Sequence, residues 1–179
     1  MSGTGDTEIA TLCPSTVVPS TLPFVRSASA VDLRAVCSLL ACPRLGRRLY
    51  PGTQRPPPLV QILDDWSRLP PSVGDFRLVL STPRGKVIGC ARADYGNLAY
   101  FIAPEHRGLG HGRRLASVAA QQMTERSDGR AWSAYTERDN PASVRILEGI
   151  GFRFTGLLRY GAVGKTFLGF EALVGRLPG

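Results

Sequence analysis

The sequence predicts a single domain of the α/β class, with a central twisted mixed β-sheet flanked by about four helices. Short apolar segments that alternate with polar residues recur along the chain, as strands require. Segments with apolar residues at helical spacing separate them. The third observation is a strand that runs into a glycine-rich turn and then directly into a helix, at residues 97–126.

Each element follows from its residues. Residues 1–20, rich in Ser, Thr and Pro, read as a flexible tail, which leaves 21–179 for the domain. Residues 22–28 form a first strand. From Asp32 to Cys42, Leu33, Val36, Leu39 and Leu40 recur at helical spacing. Pro43, Pro51 and Pro56 to Pro58 break 43–58 into an irregular excursion. Leu59, Ile62, Leu63 and Trp66 then predict a second helix, ended by Pro70-Pro71.

Phe76, Leu78 and Leu80 alternate with Arg77, Val79 and Ser81 in the next strand, Thr82-Pro83-Arg84-Gly85 turns the chain, and Val87 to Tyr95 run back. Leu98 to Ala103 give another strand, ending at Pro104. A helix from about Gly110 to Arg126 carries Leu115, Val118, Ala119 and Met123 along one side. Residues 131–136 are a strand. Asn140 and Pro141 open a helix that Gly151-Phe152 end, because proline's missing N–H is harmless in a first turn. Strands at 153–160 and 166–174, joined near Gly161 to Gly164, complete the chain. No internal repeat and no second domain is visible.

Composition excludes several classes. The chain has 179 residues, 43% of them hydrophobic, with mean hydropathy −0.03, as in a globular protein with a real core. No apolar run approaches the ~18–20 residues that a bilayer span needs. Asp6 and Glu8 fall early and no long apolar run follows them, so a secretory signal is not expected. Cys13, Cys37, Cys42 and Cys90 are irregularly spaced, and only His106 and His111 accompany them, so no zinc signature forms. Reduced cysteines in a cytoplasmic protein, without a metal, are the expectation. The net charge of +8 favours anionic partners, which include nucleic acid, the ribosome and polyphosphate cofactors. Zinc-finger spacing and an aromatic-plus-glycine RNA signature are both missing, so charge alone does not choose among these.

The chemistry concentrates in Tyr100-Phe-Ile-Ala-Pro-Glu-His-Arg-Gly-Leu-Gly-His-Gly112. Glycines let backbone N–H groups converge, and the following helix adds its unpaired N–H groups and the positive end of its dipole. The result is an anion seat sized for a phosphate or pyrophosphate, with Arg107, Arg113 and Arg114 around it. A P-loop would need Gly-Lys-Ser/Thr, and Gly112 is followed by arginines. A dinucleotide fingerprint counted from Gly108 would need glycine at position 113, which is arginine. A purely structural glycine turn is the alternative.

Arg107-Gly-Leu-Gly110-His-Gly112 resembles the Arg/Gln-x-x-Gly-x-Gly/Ala motif of the GNAT superfamily of N-acetyltransferases. Asn140-Pro-Ala-Ser143-Val-Arg-Ile-Leu-Glu-Gly-Ile-Gly151-Phe152 is similar to that superfamily's second signature, Asn-x-x-Ser/Ala ending in Gly-Phe. The resemblance covers roughly 75–175, and more weakly 22–70. Asn97-Leu-Ala-Tyr-Phe-Ile-Ala-Pro and the Ile-Leu-Glu after Asn-x-x-Ser are similar in pattern to the ribosomal-protein N-terminal acetyltransferase group. That group acetylates α-amines, and its relatives modify other small amines.

The resemblance implies acetyl-CoA as cosubstrate and an amine as acceptor, attacked directly in a ternary complex. The backbone of Phe101, Ile102 and Ala103 would pair with the pantetheine arm, the Ile102 amide facing the acetyl carbonyl as an oxyanion donor. Residues Arg107, Gly108, Leu109, Gly110, His111, Gly112 and Arg113 would hold the pyrophosphate. Asn140 would hydrogen-bond the pantetheine, with helix capping as its alternative or companion role. Ser143 would hydrogen-bond the departing thiolate, or fill a tight contact as a small residue.

Two positions depart from the pattern. Asn97 stands where relatives often carry glutamate, and Leu147 where many carry a tyrosine general acid. A base is then sought in Glu137, Glu105 or Asp94, of which Glu137 lies nearest the second motif. His106 and His111 fall in the phosphate loop and are expected at the surface or at phosphate. Without a carboxylate at 97, α-amines (protein N-termini or small molecules) are the expected acceptors. A catalytically silent acyl-CoA-binding domain is the alternative that the two departures motivate. A basic ribosome- or nucleic-acid-binding module is the third, from Arg44, Arg47, Arg48 and Arg55 in an acid-free 43–58. Monomer and homodimer are both compatible with the sequence.

Overall fold

A computed structural model describes residues 21–41, 76–94, 96–126, 131–160 and 165–173. Seven strands form one sheet: β1 (Phe24–Ser27), β2 (Phe76–Ser81), β3 (Val87–Asp94), β4 (Asn97–Ile102), β5 (Ala131–Glu137), β6 (Arg153–Tyr160) and β7 (Lys165–Leu173). Their order is β1-β2-β3-β4-β5-β7-β6. Every neighbouring pair is antiparallel except β4 and β5, so the sheet is mixed as expected. The described residues hold three α-helices: α1 (Leu33–Leu40), α2 (His111–Glu125) and α3 (Pro141–Gly149). Four were expected, and the fourth, at 59–70, lies outside the described residues, as does the tail 1–20.

Both faces of the sheet are covered, and β2 shows how. Leu78 and Leu80 face a core shared with Leu115 and Met123 of α2, Leu147 of α3, and Phe152 and Phe170. Val79 points to the other face, into a smaller core with Val36, Cys37 and Leu40 of α1 and with Cys90 and Phe101. Cys90 is thus a packed apolar residue, as its strand position suggested, and burial pushes its thiol up to about 12.

The start of α1 is fixed from β1. Arg26 donates to both carboxylate oxygens of Asp32, at 2.6 and 2.7 Å. The amide and hydroxyl of Ser29 also donate to that carboxylate, each at 2.9 Å. Leu33 follows a 3-10 turn at Ala30–Asp32, so the helix begins one residue later than its periodicity implied.

Candidate active site

The parallel neighbours β4 and β5 share one register pair, Asn97 with Ser133. Beside it the Ser133 amide donates to the Gly96 carbonyl at 2.7 Å. Beyond this point the two strands part. The Ala103 amide donates to Ile88 at 2.9 Å, which fixes the parity of β4. In an antiparallel ladder the backbone groups of alternate residues point to the same side, so those of Phe101 face β3 with those of Ala103. Ile102 points its backbone the other way, into the gap. Its amide has no backbone acceptor among the described residues, and its carbonyl accepts from Arg107 Nε at 3.0 Å.

A cavity of about 810 Å³ opens on this gap. One end is the glycine-rich turn. Gly108 and Gly110 both have φ of +77°, a left-handed conformation that side chains with a Cβ resist. Gly110 is the N-cap of α2, and none of the amides from Gly108 to Arg113 donates to a backbone carbonyl among the described residues. These are the orphan donors of a helix start, joined by its dipole. A Cβ added at Gly112 would meet Ile146 Cδ1 at 3.2 Å, so glycine there lets α2 approach α3 closely. Donors of this kind at one end, and an unpaired strand edge leading from them, fit a long ligand with a pyrophosphate and an amide-bearing arm.

At the middle of the cavity, two elements distant in sequence meet. Tyr100 Oη on β4 lies 2.9 Å from Ser143 Oγ on α3. Burial pushes the Tyr100 phenol up to about 12, against a smaller opposing effect of the Ser143 hydrogen bond. The Ser143 amide donates to Asn140 Oδ1 at 3.3 Å, so Asn140 is the helix cap that its sequence position suggested. One turn further along α3, Leu147 is buried in the core, 1% exposed.

The structure brings most of the expected residues together. Phe101, Ile102, Arg107, Gly108, Gly110, Gly112, Arg113, Glu137, Asn140 and Ser143 all line the cavity. Ala103, Leu109 and His111 do not. Ala103 is buried with both backbone groups engaged, its carbonyl accepting from His106. Of the three expected backbone partners of the pantetheine, Ile102 alone therefore has its groups in the gap. Leu109 is exposed at the tip of the loop, and His111 stacks obliquely near His106, ring centroids 6.5 Å apart.

Glu105 faces away, 3.9 Å from Lys86 and open to solvent. The Asp94 side chain lies outside the described residues. Arg107, expected at the phosphate, lines the cavity, and its Nε also donates to the Ile102 carbonyl with the guanidinium 5.6 Å from the Phe101 ring, bracing the strand end. Sequence reading missed Tyr100. Its partner is 43 residues away, and the one signal was a tyrosine in an apolar strand immediately before the motif.

The described residues hold no group of three or more His, Cys, Asp or Glu able to bind a metal. No helix among them is long and apolar enough to cross a membrane.

The profile of the acetyltransferase (GNAT) family matches residues 39–152. No curated protein sequence matches the chain. Among solved structures, it is similar to a ribosomal-protein-alanine N-acetyltransferase from Brucella melitensis, at 24% identity and a TM-score of 0.66, covering 84% of this chain and 99% of that one. It is also similar to a phosphinothricin acetyltransferase from Sinorhizobium meliloti in complex with acetyl-CoA, at 22% identity and a TM-score of 0.65, covering 86% and 89%. A spermidine N-acetyltransferase from Vibrio cholerae, in complex with CoA and spermine, shares 17% identity at a TM-score of 0.68, covering 86% and 96%. With the glycine turn, the splayed strands and a family match over well more than half of the chain, the chain belongs to the acetyltransferase (GNAT) family and is an acetyl-CoA-dependent N-acetyltransferase.

Proposed function

We propose that the chain acetylates α-amines, at protein N-termini or on small molecules, by direct attack within a ternary complex. The observation that carries this reading is the gap between β4 and β5, with an outward amide at Ile102 and the Ser143 hydroxyl both on the cavity that it opens.

Each residue has a task. The amides from Gly108 to Arg113 and the start of α2 hold the pyrophosphate, and the Arg113 guanidinium adds charge there. The Ile102 carbonyl, braced by Arg107, has a second lone pair that accepts from an amide of the pantetheine. The Ile102 amide donates to the carbonyl oxygen as negative charge develops on it, where a fixed donor is worth most. Ser143 donates to the sulfur as it departs.

Charge supports the choice of acceptor. Glu137 is the sole carboxylate among the described residues of the lining, against Arg92, Arg107, Arg113 and Arg145. A lysine side chain, with a pKa of about 10.4, arrives as a cation that this positive lining repels, while an α-amine near 7.7–8.0 is already partly neutral. Thiol release from acetyl-CoA, measured at pH 7 with α-amino peptides and with Nα-blocked lysine peptides, tests this. Faster turnover of the α-amines is expected, and faster turnover of the lysine peptides overturns it. The absence of thiol release with every amine, while acetyl-CoA still raises Tm, would favour a silent acyl-CoA-binding domain.

A further inference from the structure

The residue that sequence reading missed has a role in the chemistry. We propose that Tyr100 is a positioning residue for acyl transfer, donating its phenolic hydrogen bond to Ser143 Oγ and so turning the Ser143 O–H toward the leaving sulfur. This rests on the acetyl-transfer reading above.

Geometry carries the argument. A serine hydroxyl has one proton and rotates freely unless a partner fixes it. The Asn140 side chain takes the Ser143 amide but leaves the hydroxyl untouched. The phenol of Tyr100, 2.9 Å away, is the partner of that hydroxyl among the described residues. Either oxygen can donate in this pair, and the direction matters. With Tyr100 as donor, the Ser143 oxygen accepts and its own proton is left for a third atom. That atom is the sulfur, because Tyr100, Ser143 and the gap edge at Ile102 all line one cavity.

Magnitudes decide between donating a hydrogen bond and donating a proton. A thiol's ordinary pKa is about 8.5. Burial holds the Tyr100 phenol well above an ordinary thiol, so moving its proton to a thiolate would run uphill. Tyr100 therefore keeps its proton throughout. As the C–N bond forms and the C–S bond breaks, the electron pair leaves on sulfur, and the nitrogen loses its proton to water or to a carboxylate. Ser143 and Tyr100 begin and end the step protonated, their hydrogen bonds tightening as charge builds on sulfur. On α3, Leu147 offers no hydroxyl for this purpose, so the strand supplies what the helix lacks.

The test is a double-mutant cycle on the full chain, reading thiol release at saturating acetyl-CoA. Tyr100→Phe should lower kcat about tenfold while KM for acetyl-CoA stays within about twofold. Ser143→Ala should lower kcat further, and the double variant should match Ser143→Ala alone, because Tyr100 acts only through that hydroxyl. Additive losses, or an unchanged kcat in Tyr100→Phe, would overturn the proposal.

Replacing Tyr100 by 3-fluorotyrosine keeps the fold and makes the phenol more acidic. Its kcat should stay within about twofold, and a kcat that follows phenol acidity would make Tyr100 a proton donor instead. Each variant is assayed with and without amine, since slow hydrolysis of acetyl-CoA expels the same thiolate. Failure of every amine therefore sinks the acceptor reading, while the Tyr100–Ser143 coupling is still read on hydrolysis.

Discussion

Asn140 Oδ1 accepts the amide of Ser143 at 3.3 Å, so one side chain both starts α3 and sets the backbone beneath the cavity's hydroxyl. The carbonyl half of the Asn140 amide is used by the cap, and the NH2 half remains to donate to a ligand in the cavity that it lines. These two roles separate by substitution. Asn140→Asp keeps the cap and suits the helix dipole, so Tm without cofactor should hold, while KM for acetyl-CoA rises roughly three- to tenfold as the donor is lost. Asn140→Ala should lose both, with about 1 kcal/mol of stability in addition. Equal KM values for Asn140→Asp and wild type would leave the residue as a cap alone.

Gly110 and Gly112 are both glycines of the motif for different reasons, which predicts different failures. Gly110 has φ of +77° with nothing within 4 Å of an added Cβ, so the obstacle is backbone conformation and not space. Gly110→Ala should cost about 1 kcal/mol, and Gly110→Asn less, because asparagine tolerates the left-handed region. Gly110→Val, β-branched, should abolish the rise in Tm on adding acetyl-CoA while the chain still folds. Gly112→Ala would press on Ile146 Cδ1 at 3.2 Å and should instead show its loss in Tm without ligand. A Gly110→Val variant with a normal acetyl-CoA shift would remove the pyrophosphate role of this turn.

The sequence made local features readable and left the convergent ones hidden. The turn at Gly108 to Gly112 and the cap at Asn140 depend on neighbours a few residues away, so residue type and spacing disclosed them. The strand assignments held for the same reason: Phe76, Leu78 and Leu80 alternate whatever they pack against. What alternation cannot state is which β-edge stays open, because the parting of β4 from β5 follows from packing across the whole sheet. Hence Phe101, Ile102 and Ala103 looked equivalent, and only the Ala103–Ile88 hydrogen bond shows that Ile102 is the outward one. Arg107 has a second partner that stayed hidden for a related reason. Its charge pointed to phosphate, while the structure holds it on the Ile102 carbonyl, a partner that exists only once the strand end and the loop are folded together.

The clasp between β1 and α1 should be visible in the pH dependence of stability. The Arg26 guanidinium, in a hydrogen bond with Asp32, holds that carboxyl well below the usual carboxylate range, against the raising effect of burial. A depressed folded pKa contributes stability fully above the unfolded value near 3.9, and loses it as pH falls from there through the folded pKa. Asp32→Asn should lower stability near pH 7 by about 1–2 kcal/mol, a modest figure because the Arg26 side chain is 35% exposed and partly screened. The gap in Tm between wild type and Asp32→Asn should hold from pH 6 to 8 and narrow below pH 4. A gap that stays constant down to pH 2 would mean that the carboxylate's charge has no part in the clasp.

The last prediction concerns the proton that an attacking amine must lose. Asn97 sits where β4 parts from β5 and lines the cavity, but an amide accepts no proton at neutral pH. Glu137, at the end of β5 on the same lining, is the carboxylate left among the described residues. With an α-amine, partly neutral at pH 7, removal of Glu137 by Glu137→Gln should lower kcat by a few fold only, since water can take the proton. With a lysine-like amine near 10.4, well under ~1% of which is neutral at pH 7, the same substitution should reduce an already slow rate by about tenfold or more. Asn97→Glu adds a carboxylate at the mouth of the gap. It should raise the rate on high-pKa amines more than on α-amines, narrowing the wild-type preference, and it should move the pH profile on lysine peptides toward lower pH. If Asn97→Glu accelerates α-amines as much as lysine side chains, the acceptor preference does not arise from a missing base, and the arginines of the lining become the next residues to vary.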